Sequence, residues 1–136
     1  MPLTNDRLIK RRDGVQYNDP VAADTVIYTG ALACLDASGN AVPGATATDL
    51  TARGVCEERA DNTGGAAGDI SAPIRAGVFN FKNSAGADEI TRANIGSDAF
   101  IVDDETVALT DGTSTRSIAG EIVDLDDAGV WVRVGA

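Results

Sequence analysis

The chain has 136 residues, 11 Lys plus Arg against 21 Asp plus Glu, a net charge of −10 and no histidine. One ordinary domain fits that length and two do not. Without histidine there is no Ser-His-Asp triad, Cys-His pair or imidazole zinc site, an acidic chain repels nucleic-acid phosphates, and no apolar run approaches the roughly 20 residues that cross a bilayer.

Val (12) and Ile (9) outnumber Leu (7), and Thr adds 12 more β-branched side chains. Such side chains fit a pleated surface and lose freedom in a helix, so the composition predicts strands. The commonest apolar residue is Ala, with 22 copies. Alanine contributes little burial, so further burial between subunits is expected.

Residues 1–14 (MPLTNDRLIKRRDG) carry Arg7, Lys10, Arg11 and Arg12 against Asp6 and Asp13, a net of +2. The other residues carry 7 bases against 19 acids, a net of −12. No apolar stretch follows the charges, so the segment does not read as a secretory signal. It reads either as a solvated, frayed terminus or as an extended arm that docks on an acidic neighbour. In the second reading Leu3, Leu8 and Ile9 are the apolar anchors.

A single β domain is expected over residues 15–136. Residues 15–17 form a first strand, stopped by Asn18-Asp19-Pro20. A short strand over 25–28 precedes a hairpin whose arms, 31–35 and 41–43, flank an Asp/Ser/Gly/Asn loop. Residues 44–52 are small and polar, hence loop, and 54–58 form a strand. Residues 61–69 (DNTGGAAGD) form a surface loop with no bulky side chain to anchor it. The strand over 70–74 contains Pro73 and is expected at an edge or a bulge. Val78, Phe79 and Phe81 mark the next strand.

Asp88 is placed to cap one helical turn through Asn94, because Ile90, Ala93 and Ile95 fall near helical spacing. Strands follow over 99–102 and 106–109, and then a turn over 110–115 (TDGTST). Residues 118–125 and 130–134 form a hairpin around Asp126-Asp127-Ala128-Gly129, with Val130, Val132 and Val134 on one face. Eight to ten short strands with frequent turns predict an all-β fold, a small β-barrel or β-sandwich of antiparallel strands with at most one short helix.

No catalytic pattern holds. The Asp-Thr-Gly and Asp-Ser-Gly tripeptides of aspartic proteases do not occur, and the glycines at 64–68 lack the lysine of a phosphate loop. A Ser-Lys dyad would have to use Lys82 with Ser84, with nothing nearby to lower the lysine's pKa. Asp103, Asp104 and Glu105, or Asp124, Asp126 and Asp127, have calcium-ligand chemistry, but neither group matches the 12-residue calcium loop. Solvated turns are the plainer account of both. Cys34 and Cys56 are too few for a disulfide framework. They read as reduced core residues, with a single bridge left open. No catalytic, metal or cofactor residue is assigned, and no enzyme activity is expected.

The stretches GVFNFKNS (77–84), ITRANIGSDAFIVDDETVALT (90–110), TRSIAGEIVDLD (115–126) and GVWVRV (129–134) are similar to a family encoded beside the major capsid gene of tailed bacteriophages. These are capsid decoration proteins, also called cement or head-stabilising proteins. The basic N-terminus and the hairpin ALACLDASGNAV fit the looser pattern of the first half.

The resemblance implies a β-rich structural protein, made in the bacterial cytoplasm. It would bind the outside of an icosahedral capsid in the virion, with the major capsid protein and itself, as a homotrimer, for partners. Neither nucleic acid nor membrane is expected among them. In that setting the expected capsid or subunit interface is Leu3, Arg7, Leu8, Ile9, Lys10, Arg11 and Arg12, through strand addition to a neighbour. Another phage head or tail component, a connector or fibre base, stays open. So does a small enzyme or carbohydrate-binding module, although only six aromatics are available to stack sugars.

Overall fold

The computed structural model describes residues 2–10 and 14–135. It is mainly β, with twelve strands in three antiparallel sheets that stay open and do not close into a barrel. The strands are β1 (Gln16–Pro20), β2 (Val26–Ile27), β3 (Leu32–Leu35), β4 (Ala41–Pro43), β5 (Thr51–Cys56), β6 (Ala60–Asp61) and β7 (Ser71–Arg75). They continue with β8 (Gly77–Phe81), β9 (Asp98–Ile101), β10 (Val107–Ala108), β11 (Ile118–Asp126) and β12 (Gly129–Val134). One five-stranded sheet runs β1-β7-β5-β3-β4, a second runs β10-β9-β11-β12-β8, and β2 pairs with β6 alone.

The larger core lies between the two five-stranded sheets. Leu32 and Cys34 of β3 meet Ile101, Val107, Ile122, Val130, Val132 and Val134 of the second sheet, all fully buried. The β12 alternation read from the sequence is thus the pleat itself, with its three valines inward. A smaller cluster of Val21, Ile27, Ala33, Cys56 and Ile74 backs the first sheet. Cys34 and Cys56 are free and belong to different clusters. Burial pushes the Cys34 thiol up to about 12.

Several local expectations change. β1 does not stop at Asn18 but runs through Pro20. It lies at a sheet edge, where proline's missing N–H costs no ladder bond. Pro73, expected at an edge or bulge, lies instead in β7 between β1 and β5. It is tolerated because β5 pairs with β7 only at Val55 and Cys56, and beyond that the Pro73 carbonyl accepts from Glu57 N at 2.9 Å.

The single helical turn expected over 88–94 is two separate 3-10 turns, Gly86–Asp88 and Arg92–Asn94. Asp88 does not cap the second one. Thr91 precedes it, and its N and Oγ1 both donate to Asn94 Oδ1, at 2.8 and 3.1 Å. The loop over 61–69 is anchored after all: Asn62 is 4% exposed, and its amide donates to the carbonyls of Ala22 at 2.9 Å and Ala66 at 3.0 Å.

Gly120 sets the bend of β11. The register with β9 shifts between Ile118 and Gly120, and Gly120 has φ +156°. A Cβ there would overlap the Arg133 carbonyl of the facing strand. Only glycine lets the two backbones approach this closely.

Candidate functional site

Leu3, Leu8 and Ile9 are 70%, 99% and 63% exposed. Among the described residues, Arg7 and Lys10 make no ion pair. Arg11 and Arg12, the other expected arm cations, lie outside the described residues. The arm joins the body at Val15, whose carbonyl accepts from Ala76 N at 2.7 Å, and then enters edge strand β1.

Arg53 of β5 ties β1 to the body. Its Nε donates to Asp19 Oδ2 at 2.8 Å and its Nη2 to Asp19 Oδ1 at 3.2 Å. The same guanidinium lies 3.5 Å from the Tyr17 ring centroid. A planar fork suits a two-pronged carboxylate contact together with an aromatic face. The Asp19 contact raises the Arg53 pKa, so the cation is permanent.

Beside Arg53 an open groove of about 830 Å³ runs between the two sheets. Its apolar wall is Leu35, Leu50 and Ala52 on one side, Phe100 and Ile118 on the other. Ile118 is 49% exposed. Gly135 lines the groove, and a Cβ there would lie 2.7 Å from that of Ala76. Since Ala76 holds Val15, the arm leaves the body near this part of the lining. Ser117 joins the two walls: its Oγ donates to Ala47 O at 2.7 Å and accepts from Leu50 N at 3.1 Å.

Asp111 and Ser114 of the segment 111–115 also line the groove. Gly112, Thr113 and Ser114 all have φ near +62°, a left-handed turn in which two residues carry side chains. Such backbone costs on the order of 1–2 kcal/mol per residue. The turn closes over Arg116, whose Nη1 donates to Asp88 Oδ2 at 3.3 Å and to Thr110 O at 3.1 Å. Its Nε is buried with no hydrogen-bond partner among the described residues. The Thr110 hydroxyl, and then Arg116, hold the Asp88 carboxyl below its ordinary range.

None of these groove residues stands out in the sequence as a site. The available signal is the run Ala99-Phe100-Ile101-Val102, apolar on both faces of one strand. A strand buried on one side only alternates.

The other candidate groups have separate partners. Asp103 Oδ1 accepts from Glu105 N, Glu105 pairs with Lys82 at 2.7 Å, and Ser84 Oγ donates to Val107 O. Lys82 and Ser84 are therefore engaged apart. Asp124 pairs with Arg92 at 3.2 Å, and Asp126 accepts from Ala128 N and from Trp131 Nε1. Among the described residues no group of three or more His, Cys, Asp or Glu side chains is arranged to hold a metal ion. Compared with known protein families, characterised proteins and solved structures, the chain matches none of them.

Proposed function

We propose that this protein is a structural component of a tailed-phage virion that decorates the outside of the expanded capsid and cements it, attaching through residues 2–13. The major capsid protein and further copies of the chain, as a homotrimer, are its partners. The observation that carries the reading is the arm. It holds three large apolar side chains in water, Leu8 at 99% exposure, and places cations beside them. A solvated surface gains nothing from such a segment, whereas a neighbour gains apolar burial and charge pairing at once. The resemblance of residues 77–134 to capsid decoration proteins is what points to a capsid surface as that neighbour.

The test mixes the full chain, and a chain lacking residues 2–13, with expanded and unexpanded capsids of the same phage. Electron microscopy reads the result. Ordered extra density on expanded shells with the full chain, and none with the truncated one, is the expected outcome. No density from the full chain on any shell refutes the function. Equal decoration by the truncated chain removes the arm's role.

A further inference from the structure

We propose that the groove between the two sheets receives the N-terminal arm of a second copy of this chain, so that copies join head to tail. This rests on the reading of residues 2–13 as an attachment arm and names what the arm first grips.

Charge is the first argument. Residues 15–136 hold seven bases and nineteen acids. Six of those bases, all but Arg75, are already spent on ion pairs within the body. Thirteen carboxylates of the body are left without one among the described residues. At the groove, Arg53 is matched by Asp19 and Arg116 by Asp88. Asp111 in the lining has no ion-pair partner among the described residues. The uncompensated charge at the rim is negative, and the arm's net charge is positive. The acidic neighbour that the arm's composition asks for is therefore the body of this same protein.

Shape and reach agree. The groove's apolar walls suit Leu8 and Ile9, and its volume of about 830 Å³ takes several side chains. Leu8 lies seven residues before Val15, a reach of at most about 23 Å. A body of this size has a radius of gyration of about 14 Å. The arm is thus long enough to cross to a neighbour.

The arm's own groove is not its seat. A tethered segment meets its own body at millimolar effective concentration. In the single chain Leu8 is 99% exposed and the groove is open, so a second copy's groove is the seat only where the arm's own tether forbids the docked geometry. A head-to-tail contact uses two different surfaces, so it repeats until a ring closes.

Two single-cysteine exchanges test this in the full chain: Ile9→Cys in one protein and Ile118→Cys in another. Native Cys34 and Cys56 are 0% and 1% exposed and stay out of the reaction. On mixing and mild oxidation, the expected product is a covalent pair of the two proteins, lost when Leu8→Asp is added to the arm. Light scattering of the unmodified protein should give a multiple of 13.9 kDa. Ile118→Asp, at a half-exposed site, should return it to one chain with unchanged circular dichroism. A chain carrying both cysteine exchanges supplies the converse: if it stays monomeric and bridges the two new thiols internally, the proposal is overturned. So it is by a single-chain mass for the unmodified protein at tens of micromolar.

The two readings fail separately. Capsid decoration without self-association puts the arm on the capsid protein and sinks only the groove proposal. Self-association without capsid decoration sinks only the proposed function.

Discussion

Ser117 and Leu50 form the clasp between the two sheets. The hydroxyl accepts from Leu50 N at 3.1 Å, passes its own proton toward Ala47 O at 2.7 Å, and is 7% exposed. One small side chain thus holds a loop that the composition marks only as polar, and fixes one wall of the groove. Ser117→Ala removes both bonds and leaves the Leu50 N–H and the Ala47 carbonyl, both on half-buried residues, to find water. A loss of about 1–3 kcal/mol is expected from the two lost bonds. Urea unfolding should report it, and amide exchange at Leu50 should rise above that of β12. Unchanged exchange at Leu50 would show that the clasp does not hold the wall.

Gly120→Ala addresses the sheet itself. The new methyl would overlap the Arg133 carbonyl and come within 3.2 Å of Val132 Cγ1 at a φ of +156°. Backbone cannot swing aside as a side chain can. The β11–β12 ladder must shift, at a cost of about 1–3 kcal/mol or more. Chemical denaturation gives the value. Gly39→Ala, at an open turn with φ +83° and nothing within 4 Å, provides a comparison in which strain acts without overlap. It should lose less.

The parts of this fold that are legible in the sequence are those decided by neighbours along the chain. The β12 alternation, the β11–β12 turn and the β3–β4 hairpin are local patterns, and the structure reproduces each. Pro20 and Pro73 are different. Whether a proline interrupts a strand depends on which side of it has a partner, and that is settled by strands far away. The groove is the extreme case. Leu50 and Ile118 are 68 positions apart, and each is unremarkable until the sheets pack. Asn62 likewise looks like loop polarity until Ala22 and Ala66 supply carbonyls around it. The charge contrast between residues 1–14 and the rest is legible because composition alone sets it out.

Arg53→Lys separates charge from shape at the root of the arm. Lysine keeps the cation but offers no fork for both Asp19 oxygens and no plane to lie on Tyr17. Asp19 is 13% exposed at its side chain, so its poorer pairing is felt. Arg53→Ala should cost about 1.5–3 kcal/mol, the range for hydrogen bonds to charged groups. Arg53→Lys should recover only part of that. Hydrogen exchange should speed first in β1, the edge strand that carries the arm, while β11 and β12 hold. Uniform acceleration would instead make Arg53 a general stabiliser.

Acid should weaken the fold through Asp88, Asp61 and Asp124, and the sign follows from the direction of their shifts. Asp88 is held below 3.8 first by the Thr110 hydroxyl and then by Arg116. Asp61 is lowered chiefly by its hydrogen bonds from Thr63, and Asp124 by Leu125 N and Arg92. The unfolded chain therefore binds these protons more tightly than the folded one. Their contribution is complete above the ordinary carboxyl value and is lost as pH falls through the lowered values. Asp104 acts in the opposite sense. Burial first, and Asp103 beside it, raise its pKa, so its contribution is present at low pH and lost as pH rises through the raised value. Melting temperature should fall on acidification below about pH 4. Thr110→Val removes the first-named support of Asp88 and should move that carboxyl's NMR titration upward, with a shallower acid limb in the melting curve. If the Asp88 titration does not move, the hydroxyl is not what holds the carboxylate ionised.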